Sequence, residues 1–140
     1  SRYDGYKIYP NALENAVTSS SYVEDVMISE YYDESNFGAM PLIYVVLSKE
    51  SKGIDIKDII KNIIDNYILS NNNMSFRDIP TKWKVVDELP YTTALKKDYK
   101  KIKENGIDGS EISIVCHETN MGLSYYDIVM PTKGKKLIKK

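Results

Sequence analysis

Between residues 56 and 68 the apolar residues fall at intervals of three and four: Ile56, Ile59, Ile60, Ile63, Ile64, Tyr67 and Ile68. On a helix of about 3.6 residues per turn these positions form one stripe, and such a helix folds by laying that stripe on another layer. Asp55 stands at the N-cap position and Asp58 near the positive end of the helix dipole. Ser70-Asn71-Asn72-Asn73 ends the helix. The opposing layer is a sheet. Pro41 to Leu47 (Pro-Leu-Ile-Tyr-Val-Val-Leu) is a nearly continuous β-branched and aromatic run, as central strands carry. Val23 to Tyr32 predicts a strand with Val26 and Ile28 alternating inward, and Trp83 to Val86 predicts another. Asp33-Glu34-Ser35-Asn36 is a polar turn.

Residues 6 to 9 are short and β-prone. Pro10 then sits where proline pre-sets a first helical turn, with Ala12, Leu13, Ala16 and Val17 as the apolar face and Ser19-Ser20-Ser21 as the stop. The Lys-rich residues 97 to 104 predict a helix followed by Gly106. Ile112 to Cys116 and Leu123 to Met130 predict two strands, joined as a hairpin by Glu118-Thr119-Asn120-Met121-Gly122. Lys133 to Lys140 reads as a basic tail. The expected class is α+β: a small mixed or antiparallel sheet with packed helices, plus a C-terminal β-hairpin extension.

Composition narrows the function. The chain has 140 residues and a formal net charge of −1, so nothing steers it as a whole to nucleic acid or to an anionic membrane. One cysteine excludes an internal disulfide and fits a reducing compartment, hence an expected cytoplasmic location. No apolar run approaches the ~20 residues needed to span a bilayer, and no signal-peptide pattern is present. The opening Ser1-Arg2-Tyr3-Asp4 reads as a cut rather than a natural start. The 12 tyrosines are scattered among strand-like residues and read as half-buried strand positions. Cys116 and His117 are neighbours on a strand and point to opposite faces, so they form no nucleophile–base pair. With one of each, no Cys/His zinc cluster is expected, and no metal site is assigned. Asp33-Glu34 and Asp87-Glu88 read as turn and strand-end acids, and no Walker-type phosphate loop is present.

The densest motif follows the third strand. Asp87-Glu88-Leu89-Pro90 leads into Tyr91-Thr92-Thr93-Ala94-Leu95-Lys96-Lys97-Asp98. Leu89, Pro90, Thr92, Lys96 and Asp98 fall in step with the closing motif of the adenylate-forming (AMP-binding) ligases, in outline Leu-Pro-x-Thr-x-x-Gly-Lys-x-Asp. That superfamily includes acyl-CoA synthetases, peptide-synthetase adenylation domains and luciferases. Leu95 replaces the glycine, and Tyr99 the basic residue after the aspartate. Near the start, Gly5-Tyr6-Lys7-Ile8-Tyr9-Pro10-Asn11-Ala12-Leu13-Glu14 resembles the family's Gly-Tyr-Arg-Ile-x-Pro-x-Glu-Ile-Glu. There Lys7 stands for arginine, Ala12 for the first glutamate and Leu13 for isoleucine. Tyr22-Val23-Glu24-Asp25-Val26-Met27-Ile28 lies where the family carries Pro-x-Val-x-Glu-Ala-x-Val. The resemblance covers residues 2 to 103 and is strongest to acyl-CoA synthetases.

The resemblance implies a C-terminal domain of the AMP-binding enzyme type over residues 1–105 and gives nothing beyond it; residues 106–140 read from their own pattern as an extension of two strands and the basic tail. It implies an intact parent that is an ATP-dependent acid–thiol ligase, most simply a fatty-acid or other acyl-CoA synthetase, with this chain inactive alone. Lys96 is then the adenylation lysine and Thr92 a loop-shaping residue. Lys97 is the nearest alternative, since a slip of one residue is easy in so lysine-rich a loop. Gly5, Tyr6 and Lys7 would face the thiol channel and coenzyme A after the domain rotates, and a plain turn between short strands is the other reading of Gly5. Tyr9 and Glu14 read as packing and capping residues. The implied cofactors are Mg-dependent ATP and coenzyme A, neither held tightly by this chain. The implied partners are an N-terminal adenylation domain of the same polypeptide, which would hold the phosphate loop, and coenzyme A or a phosphopantetheine carrier. The pivot of rotation is expected before Gly5, outside the chain. Three rivals stand beside this reading: an adenylation domain that loads a carrier protein, a non-catalytic interaction module that kept the fold, and a small nucleic-acid-binding domain using Lys96 to Lys103. Leu95 in the glycine's place leaves the loop geometry open.

Overall fold

The computed structural model describes residues 10–32 and 39–130. The elements run α1 (Pro10–Thr18), β1 (Val23–Tyr32), β2 (Ala39–Leu47), α2 (Ile56–Ile63), β3 (Lys82–Val85), α3 (Tyr99–Asn105), β4 (Ser110–Glu118) and β5 (Ser124–Val129). The strands form one five-stranded sheet whose spatial order is the sequence order, β1 to β5. Every neighbouring pair is antiparallel except β2–β3, which is parallel. The fold is therefore α+β with a mixed sheet. A parallel pair needs a crossover connection, and the segment from 48 to 81, which contains α2, supplies it.

Alternation along the strands gives the sheet two different faces. On one face, Val26 and Ile28 of β1, Ile43 and Val45 of β2, Trp83 of β3, and Ile112 and Ile114 of β4 are buried together. α1 covers this face with Leu13 and Val17, and α2 covers it with its stripe. Ile59, Ile60, Ile63, Ile64 and Ile68 are all buried, each contributing about 1.5–3 kcal/mol through removal from water. The buried Trp83 indole N–H donates to the Pro80 carbonyl at 2.9 Å, so its polar edge is satisfied. On the opposite face, Met27, Leu42 and Tyr44 meet Val86, Leu89 and Ile102, the last from α3.

Local chemistry sets the element ends. α1 begins at Pro10, the turn that proline pre-sets. The Asp55 carboxylate accepts from the Lys57 N–H at 3.1 Å and caps α2. After Ile63 the helix widens into a π-helical turn, Ile64–Ile68, with the Leu69 N–H bonded to the Ile64 carbonyl at 2.8 Å. Asp98 caps α3 by accepting from the Lys101 N–H at 3.0 Å. Gly106, with φ of 66°, ends it. The expected short strand at 6–9, the turn at 33–36 and the basic tail lie outside the described residues.

β4 pairs directly with β3, from Lys82↔Ser113 to Val85↔Ser110, so the C-terminal hairpin is continuous with the sheet. Its loop is closed by the Thr119 N–H to Leu123 carbonyl bond at 2.8 Å, and the Thr119 hydroxyl accepts from Met121 and Leu123. Cys116 is exposed, and burial of part of its side chain pushes the thiol upward, the opposite of an activated nucleophile. His117 stacks on Tyr125 at 4.6 Å between ring centroids and lies 3.0 Å from Asp127, both on β5. No helix among the described residues is long and apolar enough to cross a membrane.

Candidate functional site

The Leu-Pro-x-Thr segment builds a small hairpin. The buried Leu89 anchors its approach in the α3-side core. Tyr91 and Lys97 face each other in an antiparallel bridge, and the Asp98 N–H donates to the Pro90 carbonyl at 2.9 Å. Within the bridge, the Thr92 N–H donates to the Lys96 carbonyl at 2.7 Å and the Leu95 N–H to the Thr92 carbonyl at 2.9 Å. The Thr92 hydroxyl accepts from the Ala94 and Lys96 N–H groups at 3.2 and 3.3 Å. Threonine thus satisfies, from inside the loop, two donors that a tight turn leaves unpaired. Leu95 has φ of 63°, in the left-handed region. A hairpin that closes a short turn this way favours glycine at that position. The loop geometry that the sequence left open is thus one in which leucine takes a left-handed conformation that glycine adopts freely. The Leu95 side chain is 83% exposed.

The two adjacent lysines of the hairpin differ sharply. Lys96 is exposed, and its ammonium has no hydrogen bond or ion pair among the described residues. Lys97 turns inward. Its Nζ donates to the Val26 carbonyl at 2.6 Å and lies 3.4 Å from Glu14 Oε1 and 3.5 Å from Asp25 Oδ1. Lys97 lies in the bridge and is drawn onto the sheet, while Lys96, in the bend before it, is left exposed.

Glu14 and Asp25 are the centre of this cluster. Glu14 is buried at 6% exposure. Its Oε2 accepts from the Ile28 N–H at 3.0 Å, and the Tyr99 hydroxyl lies 2.9 and 2.8 Å from the two oxygens. Asp25 accepts from the Val26 N–H through Oδ1 and from the Tyr91 hydroxyl through Oδ2. All four carboxylate oxygens are therefore occupied, as buried acids require. The Asp25 hydrogen bond first, then partial burial, pushes the Tyr91 phenol up to about 12. Tyr99 is raised as well, by desolvation and then by its bond to Glu14.

Of the residues singled out in the sequence, Lys96 and Thr92 meet in this hairpin, while Gly5, Tyr6 and Lys7 lie outside the described residues. Sequence reasoning missed the Glu14–Asp25–Lys97–Tyr91–Tyr99 cluster. Glu14, read as a packing or capping residue, is its hub. The available signal was that these residues sit inside the three motif segments, although up to 85 positions separate them. Among the described residues no group of three or more acidic, histidine or cysteine side chains could hold a metal ion.

No family model matches the chain. A 2-succinylbenzoate–CoA ligase of Staphylococcus epidermidis is 26% identical over 104 residues, covering 74% of this chain and 20% of that protein. Among solved structures, the o-succinylbenzoate CoA synthetase of Bacillus subtilis in complex with its acyl-adenylate intermediate is 26% identical with a TM-score of 0.53, over 77% of this chain and 20% of that one. An acyl-CoA synthetase of Brucella canis shares the fold with a TM-score of 0.59 at 18% identity, over 75% of this chain and 18% of that one. The chain thus spans about a fifth of the length of the relatives it matches. In sequence and in fold, what it resembles is the C-terminal domain of the adenylate-forming, AMP-binding ligases, on the acyl-CoA synthetase side of that superfamily.

Proposed function

We propose that this chain is the mobile C-terminal domain of an ATP-dependent acid–thiol ligase, of acyl-CoA synthetase type, and that Lys96 is its adenylation lysine. The observation that carries this reading is the contrast between two neighbouring lysines: among the described residues Lys96 is exposed and unpartnered on the hairpin, while Lys97 is bound into the sheet. In the first half-reaction the substrate carboxylate attacks the α-phosphate of Mg-bound ATP, forming the mixed anhydride and releasing pyrophosphate. Negative charge gathers on the α-phosphate oxygens. An ammonium delivered there on a pre-set loop stabilises that charge without reorganising at the moment of reaction. Thr92 holds the loop by its two backbone bonds. In the second half-reaction a thiol displaces AMP, and Lys96 must be withdrawn to admit it. Rotation of this small domain as a unit serves both steps. Gly5, Tyr6 and Lys7 would then line the thiol path.

The nucleotide and acyl pockets belong, in this reading, to an N-terminal adenylation domain of the same polypeptide, so the chain alone is inactive. Coenzyme A is the preferred acceptor, since the relatives at 26% identity are CoA ligases. The single cysteine favours a reducing, cytoplasmic setting. The relatives at 26% identity are a 2-succinylbenzoate–CoA ligase and an o-succinylbenzoate CoA synthetase, so the acid panel must include succinylbenzoate beside fatty acids.

The test is Lys96→Ala in the full-length parent enzyme. ATP–pyrophosphate exchange should fall about 10²–10³-fold, while thioester formation from supplied acyl-adenylate is retained. Exchange at the wild-type rate would sink the reading.

A further inference from the structure

We propose that Lys97 is a positioning residue for adenylation: it clamps the Lys96 hairpin onto α1 and β1 through Glu14, Asp25 and the Val26 carbonyl. This rests on the reading of Lys96 given above and assigns a second lysine a separate task in the same step.

The hairpin spans only residues 91 to 97, and its internal bonds fix its shape but not its place on the domain. Placement comes from three side chains at or beside its open end. Lys97 reaches Glu14, Asp25 and Val26; Tyr91, its bridge partner, donates to Asp25; and Tyr99, two residues on, donates to Glu14. The three attachments converge on two carboxylates, one from α1 and one from β1. Lys97 alone joins both. Its side chain is 24% exposed, against 8% for Glu14 and 24% for Asp25, so these charges are shielded rather than paired in open water. A cation so held is a poor candidate to leave and meet a phosphate. It is well suited to fix the loop, because residue 97 stands in the bridge and is the immediate neighbour of the exposed residue 96. Lys96 then reaches the same point each time the domain swings in. Misplacement by about 1 Å costs on the order of 10²-fold in rate where a charged group must meet a reacting atom.

A merely structural role for Lys97 makes a different prediction from a positioning role. If the clamp only holds the domain folded, its loss removes active enzyme and lowers both half-reactions by the same factor. If it places Lys96, its loss lowers adenylation alone. Lys97→Met in the full-length parent enzyme should therefore reduce the kcat of ATP–pyrophosphate exchange about 10–100-fold. The KM for ATP should stay nearly constant, and thioester formation from supplied acyl-adenylate should stay within about twofold. Lys97→Arg, which keeps a cation able to bridge two carboxylates, should recover most of the exchange. Where Lys97→Met fails to fold, the double variant Glu14→Gln/Lys97→Met takes its place, since it leaves neither Glu14 nor Lys97 charged, and should show the same split. Equal losses in the two half-reactions, or no loss of exchange, overturn the proposal. Lys96→Ala run alongside separates the two claims. If it abolishes exchange while the Lys97 variants do not disturb it, only the clamp fails. If Lys97→Met and Lys97→Arg both abolish exchange and Lys96→Ala does not, Lys97 is itself the adenylation lysine and both claims fall.

Discussion

Leu95 occupies a backbone conformation that costs a branched side chain about 1–2 kcal/mol, because its Cβ crowds the following carbonyl. Its side chain is almost fully exposed and recovers little of that in packing. Leu95→Gly should therefore stabilise the chain by about 0.5–1 kcal/mol once glycine's greater freedom in the unfolded state is deducted. Thermal unfolding should rise by about 2–4 °C. An unchanged or lower midpoint would mean that the leucine side chain contributes contacts worth as much as the strain. The position was legible in the sequence, since glycine is what the motif carries there, but which conformation the leucine adopts depends on the bonds closing the hairpin around it. Lys97 is the opposite case. In a stretch with Lys96, Lys97, Lys100, Lys101 and Lys103, nothing in the order of residues marks which one turns inward. That choice is made by a carbonyl at Val26 and two acids far back in the chain.

Elements with one strong period were readable, as was the hairpin of β4 and β5, while the pairing of strands distant in sequence was not. The stripe from Ile56 to Ile68, the run from Pro41 to Leu47 and the Pro10 helix start are local signals, and each forms where its pattern places it. The parallel pairing of β2 with β3 and the widening of the helix after Ile63 carry no such local signal. One junction between elements is unusually tight. The loop from α3 to β4 crosses the end of β3 at Gly109, where an added Cβ would stand 2.4 Å from the Val85 carbonyl oxygen and 2.8 Å from Val86 Cγ1. A backbone oxygen cannot rotate aside, so Gly109→Ala should force the β3–β4 pairing apart locally and cost about 1–3 kcal/mol. Chemical denaturation would read this directly, and a midpoint equal to wild type would mean that the loop can shift without disturbing the Val85↔Ser110 pair.

At the scale of the molecule, two apolar faces and a polar cluster share one sheet, and the tyrosines tie the parts together. The Tyr126 hydroxyl donates to Asp65 at 2.6 Å, linking β5 to the π-helical turn after α2. Tyr91 and Tyr99 link the lysine hairpin to β1 and α1. Each of these phenols is raised above its ordinary value of 10.0, as is the buried Tyr44. A raised folded value means the native state holds the phenol proton more tightly than the unfolded chain. The associated stability is present below pH 10 and is lost as pH climbs, through about 12 for Tyr91. Urea midpoints should therefore fall across that alkaline window, and Tyr91→Phe should shrink the fall. The same drop in the variant would remove Tyr91 from the account.

The order of strands also has a consequence for a chain made from its N-terminus on a ribosome. β1 and β2 can close on each other as soon as both have emerged, because they are antiparallel and joined by a short connection. The far edge of β2 has no such neighbour at hand. Its parallel partner is synthesised only after the whole crossover from 48 to 81, several seconds later at about 5–20 residues per second. During that interval Ile43 and Val45 sit on a strand with an open side, the kind of edge to which other strands add. The isoleucine helix is made within the same interval and can cover the face of those residues before β3 arrives to seal the edge. The order in which the parts are born is the order in which this sheet most needs them.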